Sequence, residues 1–447
     1  MAPELKFTEE EIQKIFGHEA AEDEQIERLK QYYFKSAIFE KVAADLPLRI
    51  VVGHKGIGKS ALFKIAMQEQ RERAELPVLI RPDDIVGLGA HHEDFLGTIR
   101  HWKQGLQEII AEKVLGTLGL AKPGSMEKAF SQTGKLLNFL RQTLSPYLES
   151  KVSAKPAQVA LMKSFLDRKA VTVYVDDLDR GWDGSRENIA RVSALLNALR
   201  DLCNDNIGLK FKLSLRSDVY FLVRTSDEST DKVEGSVVWF AWTNHEILAL
   251  LVKRKETFCG TQADEQSLLR MPQHDLAKFL NPVMDPYFTG EGKWENAPIH
   301  RVLMSLVRKR PRDLVKLCTL AARQARDRKG VRIATVDWQA SFEEYSQGRV
   351  QDTINEFRSE LPEIERLIMN MKPNRKERQA QLGYTYKTEQ LMEKLRAVME
   401  LGRFTFRNGS EAGPKDLAQF LYKINFLTAR KELPGGEIDR KYFEENR

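Results

Sequence analysis

The chain has 447 residues, 42% of them hydrophobic and 30% charged, with a net charge of +6, which excludes a wholly disordered protein and leaves room for two to four domains of about 100–200 residues. No apolar run approaches the roughly 18 residues of a membrane helix, and the N-terminus lacks the basic-then-apolar layout of a secretory signal. Three cysteines (Cys203, Cys259, Cys318) cannot build a disulfide framework, so the expectation is a cytoplasmic protein without a membrane segment.

Charge is uneven along the chain. Residues 1–46 carry 6 basic and 11 acidic side chains, whereas residues 301–330 hold 10 Lys/Arg against Asp313 and Asp327. Such a basic concentration points to a phosphate-rich or acidic partner, or else to a solvated helix face.

Residues 1–46 are predicted to be a helical lead-in, with Ile12, Ile15 and Phe16, then Ile26, Leu29 and Tyr33, at spacings of three and four. The core is predicted over 47–243. Leu48 to Val52 is a β-rich apolar run, a glycine-bounded loop follows, and residues 60–67 have a helical pattern. Residues 77–80 give a second strand, helices fill 93–120, and Pro/Gly/Ser breaks mark 121–170 as a helical insertion. Val171 to Val175 is a third strand, 187–202 a helix, and 211–215 and 235–240 complete a set of about five strands separated by helices. That alternation predicts an α/β core with a parallel sheet. Residues 244–360 read as an almost wholly helical lid. Residues 361–447 read as a small C-terminal domain of short helices, with a hairpin around Arg403 to Arg407 turning at Asn408-Gly409.

The strongest motif is Gly53-His54-Lys55-Gly56-Ile57-Gly58-Lys59-Ser60, which matches G-x-x-x-x-G-K-[ST] after a strand and at the opening of a helix. Glycines let the backbone wrap phosphates with its N–H groups inward, and the helix that starts through Ala61 presents its positive end. Lys59 is expected at the β- and γ-phosphates and the Ser60 hydroxyl on Mg²⁺. The bland alternative is a glycine-rich turn with a surface lysine. The run Val171-Thr-Val-Tyr-Val-Asp176-Asp177-Leu-Asp179-Arg180 adds carboxylates at the end of a buried strand, the edge where open α/β sheets bind ligands. Asp176 suits the Mg²⁺-holding acid and Asp177 the acid that orients the attacking water. Asp179 reads better as a helix cap.

Taken together, the Gly53 to Ser60 loop and the Asp-Asp-Leu-Asp-Arg run resemble the KAP and STAND branches of P-loop NTPases, relatives of the AAA+ ATPases. Phe16-Gly-His-Glu-Ala-Ala-Glu22 with Tyr33-Phe34, Leu215-Arg216-Ser217-Asp218, and Arg308-Lys-Arg310-Pro311-Arg312-Asp313-Leu314 are similar to segments of a bacterial group akin to the origin-recognition initiators. The likeness runs from Phe16 to about Glu356. It implies an AAA+-like P-loop core, a helical lid and a C-terminal winged-helix-like domain. It also implies Arg216 or Ser217 at the sensor 1 position, Arg310 or Arg312 at the sensor 2 position, and Arg224 where a trans-acting finger would lie. A cation at these places would offset γ-phosphate charge developing in the transition state. Two departures stand out: Asp177 replaces the usual Glu, which implies slow hydrolysis, and the membrane segments frequent in KAP proteins are missing.

Phe34 is a candidate for stacking on adenine, with core packing of Tyr33 and Phe34 as the alternative. His91-His92 are poorly placed to share a zinc ion, no nucleophile elbow appears, and Cys203 reads as an apolar helix residue. In the C-terminal domain Lys372, Arg375, Lys376 and Arg378, then Arg403, Arg407 and Lys415, interleave with Tyr384, Tyr386, Phe404 and Phe406. That pattern suits double-stranded DNA or a protein partner. The sequence therefore predicts an ATP- and Mg²⁺-dependent ATPase switch, oligomeric, acting on a separate effector in a DNA-related or antiphage process. The alternatives are an ATP-loaded scaffold or DNA-binding regulator with negligible hydrolysis, and a small-molecule kinase.

Overall fold

The computed structural model describes the chain except residues 1–4, 22, 89–93, 121–135, 150–155, 169, 227, 293, 380–383, 433–437 and 444–447. His91 and His92, and most of the breaks that marked the insertion, lie outside the described residues. The chain divides into two compact units. The first comprises Met1–Arg180, Arg191–Arg216 and Asp227–Tyr345, the second Gly181–Ala190, Ser217–Ser226 and Ser346–Arg447.

In the first unit α1 (Glu9–Phe16), α2 (Ile26–Tyr32) and α3 (Ala37–Ala43) lead to β1 (Leu48–Val52). A reciprocal cap starts α1, with Glu11 N–H donating to Thr8 Oγ1 at 3.2 Å and Thr8 N–H to the Glu11 carboxylate at 3.3 Å; Gly17 ends it at φ 82°. Next come α4 (Lys59–Glu72), β2 (Pro77–Ile80), α5 (Phe95–Thr117), α6 (Leu136–Glu149), α7 (Pro156–Arg168), β3 (Val171–Val175), α8 (Arg186–Asp205) and β4 (Leu209–Leu215). After α9 (Ser217–Ser226), which belongs to the second unit, β5 (Val237–Trp239) completes a five-stranded sheet in the order β2-β3-β4-β1-β5. Every pairing is parallel. β3 is buried at all its positions and β1 at all but Arg49, so both read as continuous apolar runs rather than alternating ones.

The helical region follows: α10 (Asn244–Phe258), α11 (Glu265–Arg270), α12 (Gln273–Lys278), α13 (Ile299–Leu306), α14 (Pro311–Asp327) and α15 (Thr335–Phe357). A small antiparallel ribbon, β6 (Tyr287–Phe288) with β7 (Ala297–Pro298), interrupts it. Two residues per strand are too few to leave an alternating pattern in the sequence. Ile12, Ile15 and Phe16 of the lead-in, Leu62 and Phe63 of α4, and Leu248, Leu251, Leu314 and Leu317 of the helical region share one core. Each such buried side chain contributes about 1.5–3 kcal/mol.

The second unit has its own core, in which Phe357, Leu361, Leu367, Leu395, Phe404, Leu417 and Leu421 meet. It is built from α16 (Ile364–Asn370), α17 (Arg375–Gln379), α18 (Thr388–Met399) and α19 (Pro414–Lys423), closed by the antiparallel hairpin β8 (Ala429–Glu432) and β9 (Ile438–Lys441). Between α18 and α19 the chain turns as Asn408-Gly409 predicts: Phe406 N–H donates to Ser410 O at 2.9 Å, Gly409 sits at φ 85°, and Thr405 bridges Glu411. The unit is thus a set of short helices with one two-stranded antiparallel hairpin. The α/β class with a parallel sheet expected from the sequence is the class observed.

Candidate functional site

The sheet brings the two acidic and glycine-rich motifs to one edge, because every strand is parallel and both motifs follow strand ends. After Val52 the loop begins at Gly53, whose N–H donates to Leu215 O of β4 at 3.2 Å. A Cβ there would lie 2.9 Å from Phe240 O, a contact only glycine avoids. Gly56 (φ 80°) and Gly58 (φ 107°) adopt left-handed backbone, and Gly58 caps α4. No acid stands in the first turn of α4, so its positive end remains available to an anion. Lys59 Nζ donates to Gly53 O at 2.7 Å and His54 O at 3.2 Å, which holds the ammonium over the loop. Lys55 is exposed, and Ser60 and Ala61 are half-buried in the first turn of the helix.

The loop is braced from behind. Trp242 Nε1–H donates to Ile57 O at 2.8 Å, and its ring packs against Phe240 (5.4 Å) and Phe34 (6.3 Å). Phe34 is buried in this aromatic group, and Tyr33 lies edge-on to Phe39 at 5.9 Å. At the end of β3, Asp176 N–H donates to Ile80 O at 3.1 Å, while its carboxylate accepts the Ser214 hydroxyl from β4, the strand between β3 and β1. Asp177 turns the chain in left-handed backbone (φ 57°), and its carbonyl accepts from Arg180 N–H at 3.0 Å. Asp179 pairs with the buried Arg216 at 3.6 Å. Ser217 is buried at the start of α9, and Arg224 is exposed in its last turn.

The arginine motif of the helical region reaches the loop. Arg312 N–H donates to Gly56 O at 3.4 Å, and a Cβ on Gly56 would lie 3.1 Å from Arg312 Cβ. The Arg312 side chain also donates through Nε to Glu19 O in the lead-in at 3.4 Å. Arg310, two residues earlier at the N-cap of α14, is buried. His54, 2% exposed, reports the electrostatics of this corner. Burial first, then the cations of Arg310, Lys59, Arg216 and Arg308, hold its imidazole well below the usual histidine range. Charges that depress one ring together stand close to it, so cations from three distant stretches converge beside the loop. Such an arrangement stabilises concentrated negative charge, above all a polyphosphate.

The fold also accounts for much of the basic stretch 301–330. Arg308 pairs with Asp313, Arg328 with Asp337, and Arg323 and Arg326 with Glu9, while Arg310 and Arg312 lie at the loop. Among the described residues no group of three or more His, Cys, Asp or Glu could hold a metal ion. Ser60 and Asp176 are hard oxygen donors, a set that suits Mg²⁺ sharing its shell with phosphate oxygens and water rather than a protein cage. Sequence reasoning passed over Ser214, Trp242, Asp313 and the Glu19 carbonyl. Trp242 had only its place in an apolar run to signal it, Asp313 and Glu19 only their places in quoted motifs that gave them no role, and Ser214 nothing.

In the second unit Lys372, Arg375, Lys376 and Arg378 are exposed, as is Tyr384 at 84%. Phe404 is in that unit's core under the Arg366 guanidinium (4.1 Å), and Phe406 packs against Phe420 at 5.7 Å. Among the described residues, no helix is long and apolar enough to cross a membrane.

No protein-family model matches the chain. It is 23% identical over 387 residues to a transposon gamma-delta 80.3 kDa protein of Escherichia coli K12, across 78% of this chain and 52% of that protein. The chain thus spans about half the length of the curated relative it matches. Among solved structures it is similar to the ORC2 protein of Aeropyrum pernix in ADPNP-ADP complexes (TM-score 0.41, 12% identity, 100% of this chain and 92% of that one). It is also similar to Drosophila ORC bound to DNA (0.37, 11%, 98% and 89%) and to Aeropyrum pernix ORC1 in complex with DNA (0.34, 12%, 93% and 88%). Superposition at these values is loose, and the fold class stands on the sheet and the loop instead.

Proposed function

We propose that the protein binds ATP with Mg²⁺ at the Gly53 to Ser60 loop and hydrolyses it to reset a conformational or oligomeric switch. The observation that carries this is the contact of Arg312 with Gly56, which brings the cations of the helical region to a glycine loop already capped by a helix N-terminus and Lys59. In this reading Lys59 binds the β- and γ-phosphates, Ser60 and Asp176 hold the metal, and Asp177 orients water. Arg216, Arg310 and Arg312 offset charge on the terminal phosphate. Bound Mg²⁺ supplies charge neutralisation on the phosphate oxygens. Asp177 has one methylene fewer than Glu, in keeping with slow turnover. The Asp176 to Arg180 run and the arginine motif support placing the chain with KAP- or STAND-like ATPases.

The exposed quartet Lys372, Arg375, Lys376 and Arg378 supports double-stranded DNA as a partner, and the similarity to a transposon protein is in keeping with a DNA transaction. A homo-oligomer governing a separate effector, in a DNA-related or antiphage role, completes the proposal.

The test is ATP turnover with and without double-stranded DNA across a salt series. Lys59→Ala is expected to lose nucleotide binding. Asp177→Asn is expected to bind ATP but to lose turnover by about 100-fold or more. Salt-sensitive stimulation by DNA supports the DNA role, and turnover indifferent to DNA sinks it. Tight binding without turnover in the wild type favours the scaffold, and ATP consumption that needs a phosphate acceptor favours the kinase.

A further inference from the structure

The turn that delivers the arginine motif is unusual. Arg308 (φ 47°) and Lys309 (φ 54°) are consecutive non-glycine residues in left-handed backbone, each at a cost of about 1–2 kcal/mol. Directly after them come Arg310, closed onto the turn by its N–H to Val307 O at 2.8 Å, and α14, whose second residue is Arg312. Such a turn persists only where its surroundings over-determine it.

Asp313 is the group placed to do so. It lies in the first turn of α14 and is 1% exposed. Its Oδ2 accepts from Arg308 Nε at 3.1 Å and stands 3.1 Å from Nη2 of the same guanidinium in an ion pair. The helix N-terminus favours its charge, and the guanidinium offsets the cost of burying it. A carboxylate that served only to cap the helix would have no need to reach back five residues to the head of the turn.

We propose that Asp313 is a positioning residue for the nucleotide site: by gripping Arg308 it fixes the left-handed turn that sets Arg310 and Arg312 against the P-loop. This rests on the nucleotide reading of that loop. Asp313 touches no phosphate itself. Its loss changes where two cations stand, and so weakens discrimination of the terminal phosphate more than it weakens the fold.

The experiment compares affinities for ATP and ADP in the wild type, Asp313→Asn and Arg308→Lys, using fluorescent nucleotide analogues, with circular dichroism and thermal unfolding on the same samples. Asp313→Asn is nearly isosteric but gives up the charged grip; Arg308→Lys keeps a cation beside Asp313 but not the two-point contact. In both, ATP affinity is expected to fall about tenfold with ADP affinity within twofold of wild type, the equivalent of one charge-assisted hydrogen bond. A folded Asp313→Asn protein with the wild-type ATP-to-ADP preference overturns the proposal. If Asp313→Asn does not fold, an unchanged preference in Arg308→Lys overturns it equally. A wild type that binds neither nucleotide overturns the reading of the loop, and the positioning role with it.

Discussion

Lys212 shows how much a single buried group can hide from sequence. In Leu209-Lys-Phe-Lys-Leu-Ser-Leu215 the lysines alternate with apolar residues, the pattern of a half-solvated strand. Lys212 is nonetheless buried: its ammonium donates to Ala44 O at 2.7 Å and Leu46 O at 3.4 Å. Burial first, then Arg49 and Lys210, push its pKa down to about 8. The unfolded chain keeps that proton up to about pH 10.4, so between roughly pH 8 and 10.4 the unfolded state binds more protons and this group makes stability rise with pH. Cys203, pushed up to about 12 mainly by burial, acts oppositely: the folded thiol keeps its proton while the unfolded one loses it above about 8.5. The quantity to measure is therefore the pH slope of thermal stability in the wild type minus that in Lys212→Met. It is expected to be positive from pH 8 to 10, on the order of 1–3 kcal/mol in total. A zero difference shows that the lysine titrates as if exposed.

At the scale of elements, the strand, loop and helix around Gly53 to Ser60 are legible because their determinants are contiguous: a β-branched run, glycines where left-handed backbone is needed, then a helical pattern. The same holds for β3 and its acids. The ribbon β6–β7 and the hairpin β8–β9 were not legible, the first for brevity and the second because Ala429-Arg-Lys-Glu432 and Ile438-Asp-Arg-Lys441 lack an apolar alternation. Nor was the approach of α14 to the loop, since nothing near Gly56 in sequence announces Arg312. That approach can be probed from the glycine side. Gly56→Ala places a methyl 3.1 Å from Arg312 Cβ in left-handed backbone, and is expected to cost about 1–2 kcal/mol of stability and to weaken ATP binding. Trp242→Phe leaves the Ile57 carbonyl without its buried donor and is expected to cost about 1–3 kcal/mol. Equilibrium denaturation checks both.

For the molecule as a whole, charge asymmetry proves to be partly internal. The acidic lead-in meets the basic helical region where the Glu9 carboxylate accepts from Arg323 at 2.9 Å and Arg326 at 2.6 Å, and where the Arg254 guanidinium donates to Phe16 O. Hydrogen bonds from those arginines draw the Glu9 carboxyl below its usual range. These pairs are exposed, so Glu9→Gln is expected to cost no more than about 1 kcal/mol and to lose its effect at high salt. Sequence alone suggested an external partner or a solvated helix face for this charge, because ion pairs more than 300 positions apart leave no local pattern.

The docking of α1 on α10 and α14 sets a timetable for synthesis. Ile12, Ile15 and Phe16 leave the ribosome before the helices that cover them, which are encoded some 230–310 residues later. At about 5–20 residues per second, that apolar face waits on the order of 10–60 s for its cover. During that interval the nascent chain exposes the apolar positions of α1, an eight-residue segment too short to hold a helix by itself.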